Sequence, residues 1–163
     1  MIKRFLFSFI TLFAVWIMLN NTLDIINLII GVLVSIFITL IFYSNTKVYK
    51  DIKNTPKAFI YTVLYILIFI KELIKSNLDV AFRVVSPSLP INPGIVKVKT
   101  KLKSETGRLI LANSITLTPG TLTVDIKDEY IFIHWIDVTS TDINIATENI
   151  VNTFEKYLIE IYG

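Results

Sequence analysis

His134 is the one histidine in the chain, and there is no cysteine. Thiol nucleophiles, disulfides and cysteine-based zinc or iron–sulfur sites are thereby excluded. A protein-only metal site would need carboxylates beside the imidazole, and Asp125 and Asp137 are the candidates. Side chains alternate along a strand, so His134 shares a face with Phe132 and Ile136, whereas Asp137 shares the opposite one with Trp135. The presumed ligands diverge, which points to a structural or interface histidine and away from a metal site. Asp125 and Asp137 could also be read as an acid–base pair. Nothing in their spacing fixes a separation, however, and hairpin carboxylates more often stand in solvent or cap a turn. Ser114 and Ser140 lack a G-x-S-x-G setting, and the five glycines form neither a phosphate-binding loop nor a dinucleotide fingerprint. Neither independent catalysis nor a cofactor is expected.

The elements that must carry these residues follow from composition. Of 163 residues 53% are hydrophobic and 18% charged, against roughly 45–50% and 25% in soluble domains. The apolar runs concentrate before Val85, where the formal charge is +5, while the remainder alternates normally and carries −2. Two regions are implied, one in lipid and one in water. The cations flank apolar segments and form no dense stripe with aromatic platforms, so phospholipid is the expected partner and nucleic acid is not.

Phe5 to Leu19 contains no ionisable side chain and follows Lys3 and Arg4; no small-residue cleavage pattern comes after it, so a retained anchor is expected. Ile25 to Tyr43 is a second uninterrupted apolar run of 19 residues, near the ~20 needed to cross the hydrocarbon core. The pair predicts a transmembrane helical hairpin over residues 1–45. Lys3 and Arg4 before it and Lys47, Lys50, Lys53 and Lys57 after it place both ends in the cytoplasm by the positive-inside rule. Residues 46–92 comprise a basic loop, a third apolar and then amphipathic helix from Pro56, and a proline-rich linker. Phe59 to Ile70 is apolar for only 12 residues. Beyond it Ile74, Leu78, Ala81, Phe82 and Val85 fall on one stripe, and Glu72, Lys75, Ser76, Asp79 and Arg83 on the other. A helix lying along the headgroups is favoured over a third span. Neither span carries the titratable groups of an ion relay, and two helices cannot enclose a pore. Ser8, Thr11, Asn27, Ser35 and Thr39 could bond a neighbouring helix or their own backbone, and Gly31, Ser35 and Thr39 have the four-residue spacing that permits close approach.

Residues 93–163 predict a small cytoplasmic α/β layer domain, β-α-β-β-α, after a boundary at the Ser86 to Gly94 breakers. Ile95 to Leu102 alternates, with Val96, Val98 and Thr100 inward and Lys97, Lys99 and Lys101 outward. Glu105 to Thr116 is helix-compatible, and Thr118-Pro119-Gly120-Thr121 stops it with a turn in which Gly120 can take positive φ. Thr121 to Ile126 and Tyr130 to Val138 read as a hairpin. From Asp142 to Tyr162 a stripe of Ile143, Ala146, Ile150, Phe154, Tyr157, Leu158 and Ile161 should cover the sheet, with Glu155 on the other side. The fold class is thus an α+β membrane protein: the hairpin, an amphipathic third helix, and the α/β layer.

Asn113 to Ile126 (NSITLTPGTLTVDI) with Ile133 to Val138 (IHWIDV) resembles the E subunit of the multisubunit Mrp, or Mnh, monovalent cation/proton antiporters. The order of apolar hairpin, basic loop and polar tail fits over the whole length. The resemblance implies a bacterial cytoplasmic-membrane complex exchanging external protons for cytoplasmic sodium, in which large partner subunits handle both ions. It implies a small accessory, non-catalytic member that supports assembly and activity. Asn113, Thr118, Pro119, Gly120, Thr121, Asp125, His134, Trp135 and Asp137 are its interface or fold-signature residues, with no catalytic role defined. A membrane-tethered module binding a soluble partner or an anionic ligand through Lys97 to Lys103 is the alternative, and proton delivery by His134 is a third.

Overall fold

The computed structural model describes residues 2–22, 24–42 and 51–163, with side chains from residue 5 onward. The side chains of Lys3 and Arg4, and Tyr43, Lys47 and Lys50 with the start of the basic loop, lie outside the described residues. The chain forms two compact units, Met1–Lys50 and Asp51–Gly163.

The first unit is a helical hairpin of α1 (Ile2–Asn20) and α2 (Ile25–Phe42). Asn21 turns the chain at a φ of 48°, a left-handed conformation that asparagine tolerates. Among the described residues Ile25–Phe42 is the one helix long and apolar enough to cross a membrane, and Phe5–Asn20 is a shorter apolar helix. Gly31, Ser35 and Thr39 are the buried residues of α2 and form its inner face. At Gly31 the reason is steric. The Trp16 indole lies so close that a Cβ there would overlap its Cδ1, and the ring nitrogen donates to the Asn27 carbonyl at 3.0 Å. Thr11 bonds its own helix, donating to the Phe7 carbonyl.

The second unit opens with α3 (Pro56–Val85), a continuous helix of 30 residues. Thr55 caps it, its hydroxyl accepting from the Ala58 amide, and Pro56 occupies the first turn, where no amide donor is needed. β1 (Gly94–Lys99), α4 (Glu105–Leu117), β2 (Thr121–Lys127) and β3 (Tyr130–Trp135) follow in the expected order. The sheet is antiparallel in the order β1-β3-β2, with a bulge between Thr123 and Asp125. Asp128, at a φ of 54°, begins the two-residue hairpin loop. The final segment is two helices, α5 (Ile143–Ile150) and α6 (Asn152–Tyr162), interrupted at Val151.

Val96, Val98, Ile131 and Ile133 from the sheet meet Leu111 and Ile115 of α4 and Ala146, Ile150, Phe154, Leu158 and Ile161 of α5 and α6 in one core. The expected inward and outward phases of β1 hold, since Val96, Val98 and Thr100 are buried. Glu155 does not hold to expectation: it is 3% exposed. It accepts from the Thr100 hydroxyl at 2.5 Å and the Lys101 amide at 2.7 Å. Thr100 points inward and needs a partner, and a carboxylate can be buried when it accepts such donors.

A further finding concerns the stretch on either side of residues 92 and 93. Tyr61, Tyr65, Ile68 and Phe69 of α3 pack against the core of the α/β layer, with Phe69 against Phe154 and Tyr61 against Tyr157. The Lys57 ammonium pairs with Glu160 at 2.8 Å near the start of α3. Everything from Asp51 onward therefore forms one unit, and the proline-rich linker is a turn inside it.

Two expectations follow. Replacing Gly31 by Leu lowers the midpoint of detergent unfolding of the hairpin by an amount equivalent to about 1–3 kcal/mol; adding Trp16→Ala restores part of it, and additive losses would contradict the steric lock. Glu160 is held below its ordinary value by the hydrogen bond to Lys57, which is raised by the same bond. Their mutual stabilisation is then constant between about pH 6 and 9. It fades as pH falls through the lowered Glu160 value or rises through the raised Lys57 value. The difference in thermal midpoint between the wild type and Lys57→Met, followed against pH, should show that plateau and both declines.

Candidate functional site

A cleft of about 330 Å³ between α3, the turn after α4 and the end of β3 gathers Thr118, Pro119, Gly120, Thr121, Trp135 and Asp137 with Glu72, Asp79 and Arg83 of α3. The spacing on α3 produces this edge, because Glu72, Ser76, Asp79 and Arg83 recur at three- and four-residue intervals and so share a face.

Arg83 is at the centre of the cleft wall. Its Nε lies 2.7 Å from Asp79, its Nη1 lies 2.8 Å from Asp137, and the same Nη1 donates to the Pro90 carbonyl at 2.5 Å. The hydrogen bond to Asp79 and then that to Asp137 raise the guanidinium above its already high ordinary value, so it is a permanent cation. One residue of α3 thus ties the helix to the linker and to the segment leaving β3. Asn92 completes the joint, forming an isolated parallel bridge with Asp137, its amide donating to the Ile136 carbonyl and its carbonyl accepting from Val138.

The turn is built the same way. Gly120 adopts a φ of 93°, and a Cβ there would meet Ile136 Cγ2 at 3.0 Å. Its carbonyl accepts from the Ile136 amide at 2.8 Å. The Thr121 hydroxyl donates to the Ile115 and Thr118 carbonyls, satisfying the end of α4. The Thr118 hydroxyl donates to the Ser114 carbonyl. Ser114 is buried and bonds the Tyr65 hydroxyl, whose own burial raises its pKa.

The remaining signature residues lie elsewhere. His134 is exposed on the open face of the sheet, paired in register with Ile95 and Leu122. Asp125 is exposed on β2 opposite Phe132, accepting from the Ile126 amide. Five extended residues separate Phe132 from Asp137, about 16 Å. Asp125 and Asp137 are not brought together as an acid–base pair, and His134 is not joined to either. Asn113 is exposed on α4. Among the described residues no group of three His, Cys, Asp or Glu side chains could hold a metal ion. In the lysine row, Lys97 lies over the Tyr130 ring at 3.6 Å and Lys99 pairs with Glu129 at 3.0 Å. Sequence reasoning missed Arg83 as the strap, although its place on the Glu72–Asp79 edge was a usable signal. What the cleft can do chemically is hold α3 against the sheet: its central cation is already shared among three acceptors.

The turn yields a direct comparison. Gly120→Val costs about 1–3 kcal/mol of unfolding free energy, because a β-branched residue resists positive φ and presses on Ile136. The exposed Lys127→Gln change stays within about 0.5 kcal/mol. Equal thermal midpoints for the two variants would count against the turn geometry.

The chain is similar to known proteins over nearly its whole length. It is 36% identical to the E subunit of the Na(+)/H(+) antiporter of Alkalihalophilus pseudofirmus over 151 residues, covering 91% of each protein. A chain in the structure of the membrane-bound sulfane sulfur reductase, an archaeal respiratory membrane complex, shares 44% identity and superposes with a TM-score of 0.81, over 95% of this chain and 96% of that one. A chain of the Mrp complex from Dietzia sp. DQ12-45-1b is 25% identical over 60% of this chain and 93% of that one, with a TM-score of 0.45. A family model described as Na+/H+ ion antiporter subunit, MNHE, matches residues 9–161. The protein with the strapped third helix and the Gly120 turn therefore belongs to the MNHE family of Na+/H+ antiporter subunits.

Proposed function

We propose that the chain is an accessory, non-catalytic subunit of an Mrp/Mnh-type sodium/proton antiporter in the cell membrane. It supports assembly and activity, while partner subunits carry sodium and protons. The observation that carries this reading is how the signature residues are used. Gly120, Thr121 and Asp137 are engaged in holding α4, β3 and α3 together, and the hairpin helices have no titratable side chain from Phe5 to Leu19 or from Ile25 to Phe42. A proton or sodium path needs such groups within the membrane. The α1–α2 hairpin packs among partner helices, and the positive-inside rule sets the Asp51–Gly163 unit in the cytoplasm.

One observation favours a second assembly. The 44% identity to the sulfane sulfur reductase chain exceeds the 36% to the antiporter relative. A fold found in a protein named for antiport and in one named for sulfur reduction suits a structural part that different membrane machines share. In the second reading the partners include redox subunits.

Native extraction of the tagged chain in mild detergent distinguishes these possibilities by the polypeptides that accompany it. Antiporter-type subunits alone support the first reading, additional redox subunits support the second, and a chain running alone contradicts both. Reconstituted by itself in vesicles, the chain should move neither sodium nor protons. Within the intact complex, His134→Gln should keep turnover and pH profile, as expected for a contact on the open sheet face; a shifted profile would assign it to proton delivery.

A further inference from the structure

An amphipathic helix ordinarily turns its apolar stripe toward the protein core and its charges toward water. In α3 the arrangement is reversed beyond Ile70. Glu72, Ser76 and Arg83 face the cleft, with the Arg83 side chain only 19% exposed. Ile74, Leu78, Phe82 and Val85 point outward, Phe82 at 70% and Val85 at 75% exposure. The first half continues the same outward face through Phe59, Val63, Leu67 and Ile70. The result is an apolar strip along the full helix, about 45 Å long at 1.5 Å per residue.

We propose that α3 lies flat on the cytoplasmic leaflet, with this strip sunk among the acyl chains and the α/β layer seated on its opposite side. The proposal rests on the reading that α1–α2 is membrane-anchored, and two observations select lipid as the occupant. First, Lys71 is exposed beside the strip and takes no part in the cleft, whereas the helix carboxylates Glu72 and Asp79 line the cleft. Cations at the edge of an apolar face reach anionic headgroups while their stems stay in the apolar layer. Second, a perpendicular path is closed to α3. The face opposite the strip is bound to the α/β layer by the Lys57–Glu160 pair near one end and the Arg83–Asp137 pair near the other. A crossing helix would draw both pairs and the domain that supplies them into hydrocarbon, where charged groups are costly.

The absence of cysteine permits single nitroxide labels at chosen sites. Labels at residues 63, 67, 74 and 82 report the strip, one at 127 the exposed sheet edge, and one at 37 the outward face of α2. The chain is labelled within its purified complex and returned to vesicles of phosphatidylethanolamine and phosphatidylglycerol. Depth is then read from collisions with oxygen and with a water-soluble nickel chelate. The four strip labels should report one shared depth of about 5–10 Å below the headgroups, with residue 127 in water and residue 37 in hydrocarbon. Depth that deepens and then rises again along α3 would show a crossing helix, and protection from both reagents would show a covering protein. Nickel access at all four positions would show a strip in water. Each of these overturns the proposal while residue 37 in hydrocarbon keeps the membrane anchor; nickel access at residue 37 removes the anchor itself.

Discussion

A guanidinium that is four-fifths withdrawn from solvent must keep its carboxylates. Arg83 meets Asp79 on its own helix and Asp137 on the segment leaving β3, and this need sets the rotation of α3 about its axis. Once that angle is set, Tyr65 reaches Ser114, Phe69 meets Phe154, and Lys57 arrives beside Glu160. The apolar stripe is then left facing away from the protein. The small sheet supplies one face for the core, α4, α5 and α6 cover it, and α3 closes the cleft as an additional layer. A layer of about 70 residues has little buried surface of its own, so a long helix strapped across it is a material share of its stability.

Much of the fold was legible from periodicity. The alternation of Val96, Val98 and Thr100 with lysines located β1, and the breakers at Pro119 and Gly120 located the turn, because each signal is local. Gly120 in particular was readable, since only a few residues accept positive φ. Its reason, the Ile136 side chain pressed against the space a Cβ would fill, was not. Long-range choices escaped the sequence. Glu155 looked like a solvent-facing residue because its burial depends on Thr100, far away in the chain. The two stripes of α3 are evident from spacing, but which one is covered depends on Asp137. The interruption at Val151 has no proline or glycine to announce it.

The signature motifs divide by location in a way their contiguity in sequence conceals. Strand alternation sends Trp135 toward the core while His134 stands on the open sheet face. Turn, strand end and linker are stitched together by backbone bonds among Gly120, Ile136 and Asn92. Residues that act on one another in this manner specify a shape that neighbours can rely on.

Some of the partners that hold α3 come from the far end of the unit: Phe154, Tyr157 and Glu160 belong to the last helix. During synthesis the helix emerges long before them, with charges on one side and bare hydrocarbon on the other. A chain ending before that last helix would keep Asp137 for Arg83 but lose Glu160 for Lys57, leaving one end of the long helix docked and the other free.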